Sequence, residues 1–167
     1  MSRKGWIIVL MAHRFDDELP LLLIRSFRTI VDELHDHLSN AGFGEMRALH
    51  GFALKAIDDE GVSISELAWR LGVTKQAAAT TASVMESLGL AERHADPRDL
   101  RVSVITRTER ANAVLGESER FYRRKEAQWR KKLGDERYEV LRECLQQMAG
   151  TEPATSIPGW LGRSTRT

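Results

Sequence analysis

The chain has 167 residues, of which 42% are hydrophobic, and its formal net charge is +1. That is enough apolar material for one core, or for one small lobe beside an elongated helical region. The balanced charge excludes a nonspecific polycation, so any nucleic-acid contact must come from locally clustered basic residues. The single cysteine, Cys144, cannot form an internal disulfide, which fits a reducing compartment.

Residues 1–17 are interpreted as an N-terminal extension. The apolar run from Trp6 to Ala12 follows basic residues but is too short for a typical export signal, and a poor cleavage region follows it. We expect it to form a strand or a helix start that packs on a partner subunit. No apolar run approaches the roughly 18 residues needed to cross a bilayer. The sequence therefore predicts a cytoplasmic protein with no membrane partner.

Two helices are predicted next. Residues 18–39 carry apolar side chains three and four positions apart, and Pro20 falls in the first turn, where proline is tolerated. Gly42 helps to end this helix. A second helix is predicted from about Gly44 to Ile57, and the acidic stretch 58–61 ends it.

A helix, a tight turn and another helix follow. Ser63 or Ser65 can cap a short helix that ends before Gly72, and Thr74 can cap a longer one that stops at Gly89. The periodicity predicts that the inner side of the longer helix consists of Ala77, Ala78, Thr81, Val84, Met85 and Leu88.

The outward face of this longer helix is small or hydrogen-bonding. It contains Lys75, Gln76, Ala79, Thr80 and Ser83, with no carboxylate before Glu86. Such a face suits the major groove, because phosphates repel acids and bulky side chains block approach. Gln76 can pair with adenine, and Lys75 with guanine or a phosphate. The alternative is a plain solvent-exposed helix.

A charged hairpin is predicted after this helix. Its strands are Arg93–His94 and Arg101–Arg107, and residues 96–99 form the turn. An arginine at a hairpin tip can enter a narrow minor groove, which makes Arg93, Arg98 and Arg101 candidate contacts. Asp96 and Asp99 are predicted to brace these arginines. The alternative is a solvated loop with weak salt bridges.

The last helices are predicted from Thr108 to about Leu133 and after Gly134–Asp135. The final helix places Cys144 on an apolar stripe, where a cysteine is expected to be inert packing. Nothing in the chain obviously buries the long amphipathic helices at its two ends. A homodimer is the simplest explanation, and its two-fold axis would set the recognition helices about 34 Å apart.

Other kinds of site receive little support. His35, His37 and His50 lack the spacing of a helical zinc site, although His50 is a weak candidate for a ligand pocket. No catalytic constellation or phosphate-binding loop occurs, so neither an enzyme nor a cofactor is expected. The basic run along the helix after Thr108 is interpreted as a solvated face.

Several motifs, in order, resemble the MarR family of bacterial transcription regulators. They are Ser65-Glu66-Leu67-Ala68, the stretch from Arg70 to Ala77, Leu88-Gly89-Leu90 with Glu92-Arg93, Asp96-Pro97-Arg98-Asp99 with Arg101, and Thr108-Glu109-Arg110. The resemblance covers roughly residues 18–150. It implies a mainly α fold with a small β-hairpin wing, in which a winged helix-turn-helix is joined to a helical dimerisation domain.

The resemblance also implies an organisation and a mode of action. Residues 1–17 are an extension, 18–43 and 108–150 form the dimerisation region, 44–107 form the DNA-binding domain, and 151–167 are a flexible tail. The expected partners are double-stranded DNA with a pseudo-palindromic operator, a second copy of the chain, and a small, often aromatic, ligand or an oxidant that releases DNA. A repressor is the usual role.

Carried over by position, the resemblance assigns individual contacts. The recognition-helix contacts are Thr74, Lys75, Gln76, Thr80 and Ser83. The wing contacts are Arg98 and Arg101, and Arg70 is a phosphate contact. Two residues depart from the family pattern, since Arg107 replaces an apolar residue and Ala111 replaces a glycine. The pattern therefore does not predict the structure of the junction before the dimerisation helix. The competing hypothesis is a winged helix used only for protein–protein contact.

Overall fold

The computed structural model describes residues 18–44, 46, 48–96 and 99–149, without the side chains of residues 48, 99 and 100. The predicted extension over residues 1–17 and the predicted tail over residues 151–167 lie outside this part of the chain. The described elements are α1 Leu19–Asn40, α2 Ala48–Ala56, β1 Val62–Ser63, α3 Ile64–Leu71, α4 Lys75–Ser87, β2 Ala91–Asp96, β3 Asp99–Arg107, α5 Glu109–Leu133 and α6 Asp135–Met148.

The predicted fold class is confirmed. Helices dominate the described residues, and their strands form one antiparallel sheet in the order β1–β3–β2. The helix-turn-helix consists of α3 and α4, and β2 with β3 forms the wing. The short strand β1, which the sequence analysis missed, pairs Val62 with Ile105 and Ser63 with Val104. It ties the base of the wing to the start of α3.

Local signals fix the ends of the central helices. The hydroxyl groups of Ser63, Thr74 and Thr108 each accept a hydrogen bond from the backbone N–H three residues later, at 3.1, 3.2 and 3.2 Å. These bonds satisfy N–H groups that have no partner within the helix. Gly72 and Gly89 have φ angles of +64° and +67° and terminate α3 and α4. Of the two candidate caps for α3, the structure uses Ser63.

Two expectations about the helices were wrong. Helix α2 begins at Ala48 and not near Gly44, because Gly44 has a φ angle of +75°, which an α-helix cannot contain. On α4, Ala77 and Val84 are exposed and Ala82 is buried. The buried face is narrower than predicted and consists of Ala78, Thr81, Ala82 and Met85.

The core lies where the helix-turn-helix, the sheet and α5 meet. Its largest fully buried side chains are Leu54, Ile57, Leu67, Leu71, Met85, Leu90, Ile105 and Val114. They come from α2, α3, α4, β3 and α5 and from the loop residues Ile57 and Leu90, so these elements share one apolar centre. Helix α1 packs along α5, and it lines a cavity together with α2 and α5.

Arg107, at the junction before α5 that the sequence did not predict, connects the end of β3 to the end of α2. Its guanidinium donates hydrogen bonds to the backbone oxygens of Leu54 and Ile57 at the C-terminus of α2, and it pairs with Asp59. The last carbonyls of a helix lack partners within it and carry partial negative charge, so a cation is favoured there. An apolar residue at this position would leave those carbonyls without this donor. Ala111, the second departure, is fully buried at the start of α5.

Helix α6 leaves much of its apolar surface uncovered. Tyr138 is buried, with the Arg130 guanidinium 4.2 Å from its ring centre. Farther along, the exposed apolar side chains are Val140, Leu141, Leu145 and Met148. Cys144 is also exposed, so the prediction that it is buried was wrong for a single chain. The periodicity identified an apolar stripe, but within the described residues nothing packs over it.

We predict that Arg107→Gln lowers the free energy of unfolding by about 2 kcal/mol, because it removes charged hydrogen bonds to helix carbonyls. Urea denaturation monitored by circular dichroism measures the change. The matched control is Arg123→Gln, whose exposed guanidinium lies 3.8 Å from Glu119. The control should change stability by less than about 0.5 kcal/mol. Equal effects of the two substitutions would contradict a capping role for Arg107.

Candidate nucleic-acid interface

Helix α4 presents the predicted recognition face to solvent. The five residues assigned to it are all exposed, namely Thr74, Lys75, Gln76, Thr80 and Ser83. They lie opposite the buried face of the helix, so the groove-facing set and the core-facing set do not overlap. Thr74 has a second role as the N-cap of α4. This surface is free of carboxylates and can offer hydrogen bonds to base edges or phosphates.

The wing extends from the sheet beside α4. Strands β2 and β3 pair from Ala91–Arg107 to Ala95–Ser103, and the register shifts between Ala95 and Asp96. The β2 side chains from Glu92 to Ala95 are exposed, as is Arg101 on β3. Arg98 and the side chain of Asp99 lie outside the described residues. The wing contacts of Arg98 and Arg101 and the bracing by Asp96 and Asp99 stay predictions.

Arg93 lies elsewhere than expected. It is in the middle of β2, opposite Ile105, and not at the hairpin tip. Its Nε and Nη2 atoms donate hydrogen bonds to Oε1 and Oε2 of Glu86 on α4, at 3.1 and 3.0 Å. These bonds raise the pKa of the Arg93 guanidinium. The carboxylate that braces Arg93 therefore comes from the recognition helix, and its contact with DNA stays a prediction.

Arg70, the predicted phosphate contact, is engaged within the chain. It donates hydrogen bonds to the backbone oxygen of Ala56 at 2.8 Å and to Glu66 at 2.9 Å, and it pairs with Asp58 at 2.9 Å. The Glu66 bond is the main reason that the pKa of this guanidinium is raised, and Asp58 adds to the effect. A phosphate contact would compete with these bonds.

A cavity lies between α1, α2 and α5. Its volume is about 60 Å³, and its walls include Phe27, Val31, Leu34, Phe52, Leu115 and Tyr122. A cleft of about 300 Å³ adjoins it, shares Lys55, Leu115, Ser118 and Tyr122 with it, and reaches Arg107. Burial raises the pKa of the Tyr122 phenol. His50 is buried but does not line the cavity, whereas His35 does.

Comparisons with known proteins agree with this geometry. A sequence model of the MarR family matches residues 47–101, which run from the start of α2 into β3. The matched segment contains the helix-turn-helix and agrees with the MarR-family resemblance of the sequence. No curated protein matches the chain significantly.

Solved structures extend the similarity to the rest of the described fold. CouR from Rhodococcus jostii RHA1 bound to p-coumaroyl-CoA has 21% identity and a TM-score of 0.59, with 81% of this chain and 94% of that chain covered. The YusO protein from Bacillus subtilis has 20% identity and a TM-score of 0.62, with 82% and 96% covered. The transcriptional repressor CouR bound to a 23-mer DNA duplex has 20% identity and a TM-score of 0.62, with 81% and 95% covered. These similarities establish the MarR fold across α1 to α6.

Other site classes find little in the described residues. No three histidine, cysteine, aspartate or glutamate side chains there are grouped closely enough to hold a metal ion. None of the described helices has the length and apolar character needed to span a lipid bilayer. The basic face of α5 is largely compensated, since Arg120, Arg123, Lys125 and Arg130 pair with Glu117, Glu119, Glu33 and Glu139.

We predict that Arg70→Gln lowers the free energy of unfolding by roughly 1–3 kcal/mol but leaves the salt dependence of binding to duplex DNA unchanged. Its guanidinium holds α2 and α3 together, and no counterion release depends on it. The matched comparison is Lys75→Gln, which should reduce the slope of log K against log salt by about one. Denaturation and anisotropy titrations between 50 and 200 mM salt, the range over which phosphate contacts change affinity strongly, measure both effects. An equal fall in slope for the two variants would make Arg70 a phosphate contact.

Proposed function

We propose that the protein is a homodimeric DNA-binding transcription regulator, a repressor that a small ligand releases from a pseudo-palindromic operator. The observation that carries the proposal is the exposed, carboxylate-free face of α4 from Thr74 to Ser83, which stands beside an exposed wing. CouR, which has the same fold, is a transcriptional repressor bound to a 23-mer DNA duplex in one of its structures. This similarity of fold supports DNA binding by the present chain, for which we propose that α4 enters a major groove.

The positive charge on the recognition surface comes from Lys75. Lys75 has no acidic partner among the residues that the structure describes, and it stands at the positive N-terminus of α4. A lysine there can approach a phosphate or a guanine, and the neighbouring Gln76 can reach an adenine. A net charge of +1 is thus compatible with DNA binding, because the attraction acts only over about a Debye length.

The dimer is proposed from the apolar surface that one chain leaves uncovered. It lies on the first turns of α1, at Leu19, Leu22 and Ile24, and on α6, at Val140, Leu141, Leu145 and Met148. Large apolar side chains left exposed on two helices of one chain are typical of an interface between subunits. A two-fold dimer would present two α4 helices to successive major grooves, about 34 Å apart. In this proposal α1, α5 and α6 form the dimerisation region.

The ligand is proposed to enter the cavity between α1, α2 and α5. Phe27, Phe52 and Tyr122 give it aromatic walls, which favour a small aromatic molecule. Lys55 lies at the boundary with the adjoining cleft, with its Nζ atom 5.4 Å from the Tyr122 ring centre. CouR, in the structure with p-coumaroyl-CoA, provides a relative of the same fold with an aromatic acyl ligand. Because the cavity lies beside α2, an occupant could change the position of the helix-turn-helix relative to α1 and α5.

The decisive experiment is selection of bound sequences from random duplex DNA, repeated with a set of small aromatic compounds. The expected result is a pseudo-palindromic site whose half-sites lie one helical turn apart, and a compound that lowers its recovery. Failure to enrich any sequence, together with a binding signal independent of salt, would instead support a winged helix used for protein–protein contact.

We predict that Gln76→Ala relaxes the preference for particular bases by about 1–3 kcal/mol and leaves binding to unrelated duplexes nearly unchanged. The reason is that an amide side chain in the groove reads a base edge and does not attract phosphates. Repeated sequence selection and competition titrations measure the effect. Gln128→Ala, an exposed glutamine on α5, is the matched control. A uniform loss across all sequences would reassign Gln76 to the phosphate backbone.

We also predict that Leu141→Glu raises the dimer dissociation constant on the order of a hundredfold, because a carboxylate would be buried in an apolar interface. Leu141 is exposed in the single chain, so the subunit fold should remain intact. Sedimentation equilibrium measures the association, and circular dichroism checks the fold. Gln146→Glu adds the same charge elsewhere on α6 and serves as the control. An unchanged dimer in the Leu141 variant would place the interface elsewhere.

A further inference from the structure

We infer that the ion pair between Glu86 and Arg93 sets the angle between the recognition helix and the wing, and that Arg93 is a positioning residue and not a groove contact. The inference rests on the proposed DNA-binding function. It goes beyond that function because it assigns specificity to a contact made entirely within the protein.

The geometry of the pair fixes an orientation as well as a distance. Both guanidinium nitrogens that face Glu86 are used, with Nε bonded to Oε1 at 3.1 Å and Nη2 bonded to Oε2 at 3.0 Å. A two-point contact of this kind resists rotation, which a single contact would allow. The chain between the partners turns sharply at Gly89, so the pair closes a corner between the last turn of α4 and β2.

Among the described β2 residues, full burial is confined to the base of the wing, next to α4. Leu90 and Ala91 are buried at the base, but the next four β2 side chains are exposed. Strand β1 supports β3 only at Ile105 and Val104, and Arg93 pairs with Ile105. The ion pair therefore lies where the three-stranded support ends and a two-stranded ribbon continues toward residues 96–99. A change in the angle between α4 and β2 at Arg93 would therefore move the whole tip of the wing.

The charges of the pair explain an otherwise unfavourable residue. Glu86 is the only carboxylate of α4, and an unpaired acid on a recognition helix would repel phosphates. Arg93 neutralises it. Removing Arg93 therefore exposes a repulsive charge and loosens the wing, whereas removing Glu86 loosens the wing but frees a cation. The two losses should reduce sequence discrimination alike and should shift nonspecific affinity in opposite directions.

The test compares E86Q, R93Q, R93K and the exchange E86R/R93E with the unaltered protein. Dissociation constants are measured by anisotropy for the selected operator and for a scrambled duplex at one salt concentration. E86Q and R93Q should each lower the operator-to-scrambled ratio roughly tenfold, within the range of coupled neighbouring pairs. Scrambled DNA should be bound more tightly by E86Q and less tightly by R93Q. R93K keeps the charge but loses the two-point contact, so its ratio should also fall.

The exchange E86R/R93E is the critical variant. It retains the net charge and restores an ion pair across the corner, so the ratio should return to within about threefold of the original, the usual scale of residual coupling. If Arg93 instead contacts DNA, the exchange will be at least as defective as R93Q, and the inference is overturned. The matched control is E119R/R123E on α5, where the exposed pair should exchange without effect.

A measurement without DNA separates this inference from the proposed function. Amide hydrogen exchange of β2 and β3 should accelerate in E86Q and R93Q and slow again in the exchange variant. If the unaltered protein enriches no DNA sequence but shows this pattern, the proposed function fails and the positioning role stands. Equal exchange rates in all variants would overturn the positioning role even if the protein binds its operator.

Discussion

Capping of the C-terminus of α2 by two arginines is the interaction on which the rest of the lobe depends. Arg107, at the end of β3, binds the carbonyls of Leu54 and Ile57, and Arg70, on α3, binds that of Ala56. Helix carbonyls at a buried end need donors, and their partial negative charge favours cations. Because one donor comes from the helix-turn-helix and the other from the wing strand, both DNA-facing elements are fixed to the same helix end.

Helix α2 also forms a wall of the proposed ligand site, which gives a physical route between the two sites. Phe52 and Lys55 line the cavity or its cleft, within about one turn of the carbonyls that bind the arginines, and Arg107 lines the cleft itself. Since a packed helix moves largely as a unit, an occupant that shifts α2 would shift the anchors of α3 and β3 together. In this proposal, a ligand would control DNA affinity only to the extent that it binds the two arrangements differently.

The features that the sequence predicted are those with local causes. Apolar spacing located the helices, and Ser63, Thr74 and Thr108 cap them because a cap acts over three residues. The two-residue strand β1 was missed because its only signal is pairing with β3, some forty positions away. Arg93 was misplaced at the tip and its partner was missed, since periodicity shows which face a residue occupies but not which side chain faces it across a turn. The prediction that Cys144 is buried was wrong for a similar reason, because an apolar stripe on a helix does not show whether another element packs over it.

The arrangement of paired charges makes the proposed binding of DNA compatible with a nearly neutral chain. Acids near the proposed interface are engaged internally, Glu86 by Arg93 and Glu66 by Arg70. The basic residues of α5 are similarly paired with acids on α1, α5 and α6. Near the proposed interface, Lys75 at the N-terminus of α4 has no acidic partner among the described residues. In the proposed complex, pairing would remove repulsion from the surface that faces DNA, and selectivity would come from the shape and spacing of α4 and the wing and not from bulk charge.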